Sequence, residues 1–285
     1  MGNQEPTDSP LHTVQSFARK GLTAIKKRGI DRASLAMVSR TPTDASRLGR
    51  FDEGWLRSAW ELSGWDVDEG SFSSLEFPES ALGVNPGDRR ALYQIVRRLQ
   101  PRRILEVGTH IGASTVALAL AAQRNAGEGH PCRIDTVDID DVNHPSEGHW
   151  VRYGAPRSPV DNLRSLGLDG LVEFFAADSR EWLGGSHEPY DLIFLDGNHN
   201  PDCVYREVPL ALSVLAPGGT IMLHDFFPGG APLWAGSPAI FGPWQAISRH
   251  IREGAKFHAL PLGILPWPTK RGTNITSLAI LTRVS

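Results

Sequence analysis

Two carboxylates and two imidazoles close two apolar runs of the chain. Asp196 and His199 follow DLIFL (191–195), in the phrase Asp196-Gly-Asn-His199. His224 ends GTIMLH (219–224), and Asp225 comes next. A histidine poised near neutral pH can take a proton from a hydroxyl. Carboxylates beside an imidazole can instead hold a divalent ion that lowers the hydroxyl's pKa. Three further segments hold residues at comparable places. ILEVGTHIGAST carries Glu106, Gly108 and Gly112; RIDTVDID ends in Asp138 and Asp140; FFAADSREWL contains Asp178. Each follows or ends a short apolar run, so their meaning depends on what those runs are.

The runs are RRILEV (102–107), RIDTVDI (133–139), LVEFF (171–175), DLIFL (191–195) and GTIMLH (219–224). Short apolar runs without strict alternation read as strands buried on both faces, as in a parallel sheet. Helical patterns lie between them, over Ala113–Arg124, about Pro159–Leu166, Ser179–Leu183 and Asp202–Leu215. A further helix, containing ALYQIVRRLQ, begins after Pro86 and stops before Pro101, because the residue before proline avoids the helical region. Lys256–Leu262 and Thr276–Arg283 read as an antiparallel pair at one edge. The alternation predicts a Rossmann-like, doubly wound, mostly parallel α/β sheet of seven strands with that antiparallel C-terminal pair. In such a sheet ligands sit beyond the carboxyl ends of the strands, so Asp196, His199, His224 and Asp225 are expected at one mouth. Structural caps or loop positions are the plainer readings of His199 and Asp225.

The turn at Gly108 narrows the ligand. A dinucleotide fingerprint starting there needs glycines at 110 and 113, which are His110 and Ala113. A P-loop needs a lysine after its last glycine, and none follows Gly112. What remains is an acid two residues before a glycine, then G-x-x-x-G. Asp138, at the tip of the second strand, can accept hydrogen bonds from ribose hydroxyls; Asp140 is the second choice. The phrase LAPGG (215–219) precedes the fifth strand and reads as a tight turn off the preceding helix.

With these motifs in order, residues 86–285 resemble the class I S-adenosylmethionine (SAM)-dependent methyltransferases, and among them the small-molecule O-methyltransferases of natural-product, sugar or catechol chemistry. The resemblance implies SAM as cofactor. It implies that the turn at Gly108, Thr109 and Gly112, with Ser114 behind it, wraps the methionine part, and that Glu106 organises the loop near the ammonium group. It implies Asp138 on the ribose and Asp178 with Ser179 at the adenine, Asp196 also bordering the cofactor. Ala177 stands where glycine is frequent, and Asp178 reads equally as the N-cap of the next helix. Some relatives bind Mg²⁺ through an Asp after strand four and an acidic pair after strand five. Asp196 and Asp225 match, while His224 replaces the first acid of the pair. Mg²⁺ prefers oxygen, so this departure permits a softer ion, or no metal with His224 as a base or hydrogen-bond donor. The expected set is therefore His199, His224 and Asp196 in catalysis, and Asp196, Asp225 and His224 around any metal.

The expected reaction is O-methylation of a small hydroxylated molecule with His199 as general base. The alternatives are N-methylation of a small molecule and SAM binding without methyl transfer. The net charge of −3 and the Asp196-Gly-Asn-His sequence disfavour a nucleic-acid substrate. Two cysteines, no apolar run of membrane-spanning length and a polar N-terminus suggest a cytoplasmic protein without membrane insertion. A homo-oligomer is a further expectation. Residues 1–85 read as an N-terminal helical and loop extension, with helical periodicity over Leu11, Val14, Ala18, Leu22 and Ile25. Nine Lys/Arg stand against four Asp/Glu in residues 1–50. Two long insertions, Asp141–Ser158 and Phe226–Gly242, leave the sheet on the ligand side and are expected to cover the acceptor, with Trp150, Tyr153, Trp234 and Trp244 as walls.

Overall fold

The computed structural model describes residues 51–81, 83–233, 239–270 and 272–283. The periodic stretch Leu11–Ile25 and Trp234 lie outside them. Seven strands form one sheet: β1 Arg103–Val107, β2 Arg133–Asp138, β3 Val172–Ala176, β4 Tyr190–Leu195, β5 Leu215–Leu223, β6 Phe257–Pro261 and β7 Ala279–Arg283. Their order is β3-β2-β1-β4-β5-β7-β6. The first five pair in parallel, and β7 runs antiparallel to both β5 and β6. The expected mixed sheet is therefore present. The order reverses at β1, between β2 and β4, which opens a crevice at the carboxyl ends of those strands.

Side chains alternate across each strand, and the two faces build two cores. Ile104, Ile134, Leu192, Phe194, Met222 and Ile280 pack into one cluster. Leu105, Val107, Val137, Ile193, Leu195 and Ile221 pack into the other. The helices are α1 Glu53–Trp60, α2 Trp65–Ser73, α3 Pro86–Leu99, α4 Ala113–Gly127, α5 His149–Arg152, α6 Pro159–Ser165, α7 Ser179–Gly184, α8 Pro201–Ser213 and α9 Gly242–Arg252. Residues of α3 and α4 complete the first cluster, joined by Phe51, Trp65, Phe72 and Leu75 from the segment ahead of α3. Residues of α8 and α9 complete the second.

Local chemistry sets the helix ends. Asn85 caps α3 by accepting from Asp88 N at 3.0 Å, with Pro86 in its first turn. The helix stops at Gln100, whose φ is 50°, ahead of Pro101. Asn200 caps α8 in the same way through Asp202 N at 2.9 Å.

Several elements differ from the sequence expectation, among them α5, which lies inside the expected insertion Asp141–Ser158. β5 begins at Leu215 rather than Gly219, because Tyr190 already pairs with Leu215. The register then shifts between Tyr190 and Leu192, with Gly218 at φ 72° forming the irregularity. LAPGG is thus a bulged strand entry, and α8 ends at Ser213. Helix α9 was not expected. Gly242, the end of the expected insertion, and Pro243 form its first turn, where proline is tolerated.

Candidate active site

The glycine turn is anchored from behind. Glu106 is fully buried and accepts from Ser114 Oγ at 2.6 Å, Thr115 Oγ1 at 2.6 Å and Thr136 Oγ1 at 2.7 Å. Burial raises its pKa to about 7, against the pull of the three hydroxyls. Glu106 and Ser114 therefore tie β1, β2 and the start of α4 together beneath the loop. Thr109 joins them through Thr136 at 2.6 Å.

The loop itself has no room for side chains at its glycines. A Cβ on Gly108, where φ is 95°, would meet the Asp196 carbonyl oxygen at 2.3 Å. One on Gly112, where φ is 80°, would meet Pro159 at 2.8 Å. The close approach of Gly108 to Asp196 brings the ends of β1 and β4 together. Asp138 Oδ2 accepts from His110 N at 2.9 Å, which fixes the carboxylate at the tip of β2.

Asp178 caps α7, accepting from Arg180 N at 2.8 Å. Its hydrogen bonds from the Arg180 side chain hold its pKa at about 2. Ser179 Oγ donates to Glu207 on α8, a buried carboxyl whose pKa burial raises. Sequence reasoning missed Glu207. It lies inside an amphipathic helix, where a lone Glu normally reads as a solvated face.

Asp196, His199 and Asp225 converge as expected, each offering a ligand atom within 4.8 Å of the others. His199 Nε2 lies 3.3 Å from Asp225 Oδ2. His224 also borders the cleft, but both its ring nitrogens are engaged by carboxylates. Its Nδ1 lies 2.9 Å from Asp196 Oδ1 and 3.5 Å from Asp225 Oδ1; its Nε2 lies 3.2 Å from Asp88 Oδ2. Carboxylates accept, so both ring nitrogens donate and neither keeps a lone pair for a proton or an ion. Burial disfavours the imidazolium, but the charges of Asp196 and Asp225 and the hydrogen bonds to Asp196 and Asp88 outweigh it. The pKa stands well above the ordinary histidine value.

His199, rather than the expected His224, groups with Asp196 and Asp225 as the set whose atoms could hold a metal ion. Asp88 and Thr276, which complete the cluster around His224, carry no local sequence signal. Asp225 is held in a left-handed backbone conformation, φ 50°, with Ser277 Oγ donating to it at 3.3 Å. Helix α9 presses on the β4 loop: a Cβ on Gly242 would fall 1.7 Å from the His199 carbonyl oxygen.

These groups line one cleft of about 460 Å³ that runs from Ser179 and Asp178 past Asp138 and Thr109 to Asp196 and Asp225. Of the expected walls, Tyr153 packs edge-on against His110 at 4.9 Å, Trp150 Nε1 donates to the His144 carbonyl at 3.2 Å, and Trp244 packs on the second core. The cleft is lined by their neighbours His110 and His149 instead.

Residues 105–226, from within β1 to just past Asp225, match the family described as Methyltransferase domain. This segment is similar to that family over the stretch that carries β1 to β5. The chain is 27% identical over 163 residues to a catechol O-methyltransferase of Mycobacterium tuberculosis. That match covers 56% of this chain and 63% of the relative, so the chain spans just under two thirds of that protein. A catechol O-methyltransferase of Niastella koreensis is 26% identical over 164 residues, covering 57% of this chain and 67% of the relative.

Among solved structures, the O-methyltransferase TomG from Streptomyces achromogenes, in complex with SAM, superposes with a TM-score of 0.51 at 21% identity, covering 82% of this chain and 91% of that one. The SAH-bound methyltransferase PaMTH1 of Podospora anserina superposes at 0.52 and 16% identity over the whole of both chains. These likenesses show the methyltransferase fold. Among the described residues no helix is long and apolar enough to cross a membrane.

Proposed function

We propose that the protein transfers the methyl group of SAM to a hydroxyl of a small molecule, an aromatic diol, a sugar or a related secondary metabolite. The observation that carries this is the convergence of Asp196, His199 and Asp225 at the ends of β4 and β5, beside the glycine turn. The two relatives named as catechol O-methyltransferases support a hydroxyl acceptor.

The cofactor brings the leaving group, so the protein's work is alignment and proton removal. In this reading the turn at Gly108, Thr109 and Gly112 holds the methionine end and Asp138 the ribose. Asp178 and Ser179 border the adenine. Two carboxylates and an imidazole fit a divalent cation of the Mn²⁺ or Zn²⁺ kind better than Mg²⁺, which prefers all-oxygen surroundings. Such an ion, when bound, lowers the pKa of an acceptor hydroxyl. Asp196, His199 and Asp225 would hold it, and they also orient the acceptor at the mouth.

A second reading rests on the 3.3 Å pair of His199 with Asp225. A carboxylate behind an imidazole orients it and stabilises its protonated form, which suits a metal-free general base. Either way His224 acts as a fixed donor.

The test is methyl transfer from SAM to a catechol probe, with and without EDTA, for the wild type and His199→Ala. Loss of rate in EDTA supports the cation; loss only in His199→Ala supports the base. Turnover unchanged in both would remove the mechanism. A cytoplasmic homo-oligomer acting in natural-product biosynthesis on a free small molecule, rather than on nucleic acid or at a membrane, completes the proposal.

A further inference from the structure

Asp88 lies outside the family-matched segment, in the first turn of α3, and is fully buried. A buried carboxylate without partners costs several kcal/mol, so its contacts matter. It has three: Asn85 Nδ2 donates at 2.6 Å, Thr276 Oγ1 at 2.5 Å and His224 Nε2 at 3.2 Å. They come from the cap of α3, the segment before β7 and the end of β5. A helix cap alone would not need the last two. The far side of the same imidazole, Nδ1, meets Asp196 Oδ1 at 2.9 Å and Asp225 Oδ1 at 3.5 Å. One ring thus stands between the buried Asp88 and the two cleft carboxylates. Those carboxylates, brought close at a partly buried site, repel each other unless a donor stands between them.

We propose that Asp88 is a positioning residue for a divalent-cation site formed by Asp196, His199 and Asp225. It pins the His224 ring, and the ring engages Oδ1 of both cleft carboxylates. Their remaining oxygens are thereby left to the opening, where Asp225 Oδ2 already faces His199 at 3.3 Å. This role rests on the cation reading of the previous subsection, and Asp88 itself touches neither cofactor nor acceptor.

The experiment titrates Mn²⁺ into the full-length protein, following free Mn²⁺ by electron paramagnetic resonance. S-adenosylhomocysteine (SAH) binding is measured in parallel by calorimetry. Asp88→Asn keeps the shape and an acceptor for Thr276 but removes the charge facing His224. Partners that orient metal ligands are typically worth about 10- to 100-fold in metal affinity, and a loss in that range is expected. SAH affinity should stay within about twofold, since no cofactor contact changes. Because Asp88 acts through His224, the double variant with His224→Asn should lose no more than His224→Asn alone.

Thr276→Val, which removes the hydroxyl that donates to Asp88 and accepts from Leu278 N at 3.0 Å, should weaken Mn²⁺ in the same direction and decides the matter if Asp88→Asn does not fold. Wild-type Mn²⁺ affinity in the folded variants, additive losses in the double variant, or an equal loss of SAH binding would overturn the proposal. So would a wild type that binds SAH but no Mn²⁺. A wild type that binds no SAH would instead sink the methyl-transfer reading.

Discussion

Glu106 is fully buried within a ring of three hydroxyls, with a measurable consequence. Its carboxyl is pushed up to about 7 in the folded protein, whereas an unfolded chain releases that proton near the ordinary glutamate value. The folded state therefore holds a proton that the unfolded state has lost between these two pH values. This group's contribution to stability is fully present below the unfolded pKa, declines as pH rises towards 7 and is level above it. The span corresponds to roughly 3 kcal/mol. Glu106→Gln should remove this slope, so the stability difference between variant and wild type changes between pH 5 and 7, read by urea unfolding. A constant difference across that range would contradict the buried, raised carboxyl. Gly108 makes a second case. Gly108→Ala forces a Cβ to within 2.3 Å of the Asp196 carbonyl in a left-handed backbone. It should cost about 1–3 kcal/mol in thermal unfolding and weaken SAH binding at least about tenfold.

Elements carry the site as much as single side chains do. Helix α9 meets the His199 carbonyl through Gly242, and only a missing Cβ allows that contact. Gly242→Ala should push the β4 loop outward and lower methyl transfer while SAH binding at the glycine turn changes little; loop mispositioning of this order costs up to about 100-fold in rate. Wild-type turnover in a folded Gly242→Ala protein would show that α9 does not set His199. The strands, the alternation and the antiparallel edge pair were legible because each is written in local apolar pattern. Helix α9 was hidden because its opening Gly-Pro looks like a turn, and the β5 bulge because register shifts depend on the neighbouring strand. Asp88 and Thr276 were invisible for a related reason: they meet each other and His224 only through contacts 136 and 188 residues apart in sequence. The convergence of Asp196, His199 and Asp225 was legible, since strand ends of one parallel sheet share a mouth. The direction in which His224 turns was not.

Across the whole molecule, the segment before β7 locks α3, the helix that precedes β1. Trp267 donates to the Gly87 carbonyl at 2.9 Å and packs edge-on against Trp60 at 5.4 Å, while Thr276 reaches Asp88. Residues from both ends of the described chain thus meet behind the cleft. Trp267→Ala should lower stability by about 3–5 kcal/mol in denaturant unfolding, as for other buried tryptophans. A change below about 1 kcal/mol would mean that this clamp is incidental.

The central claim is that the cleft between β1, β2 and β4 holds SAM. Its most direct test is calorimetric titration of SAH into the wild-type protein and into Asp138→Ala. One site per chain with a Kd of about 1–100 μM, weakened at least about tenfold in Asp138→Ala, is the predicted result. Heats no larger than dilution for the wild type at about 1 mM SAH would contradict it.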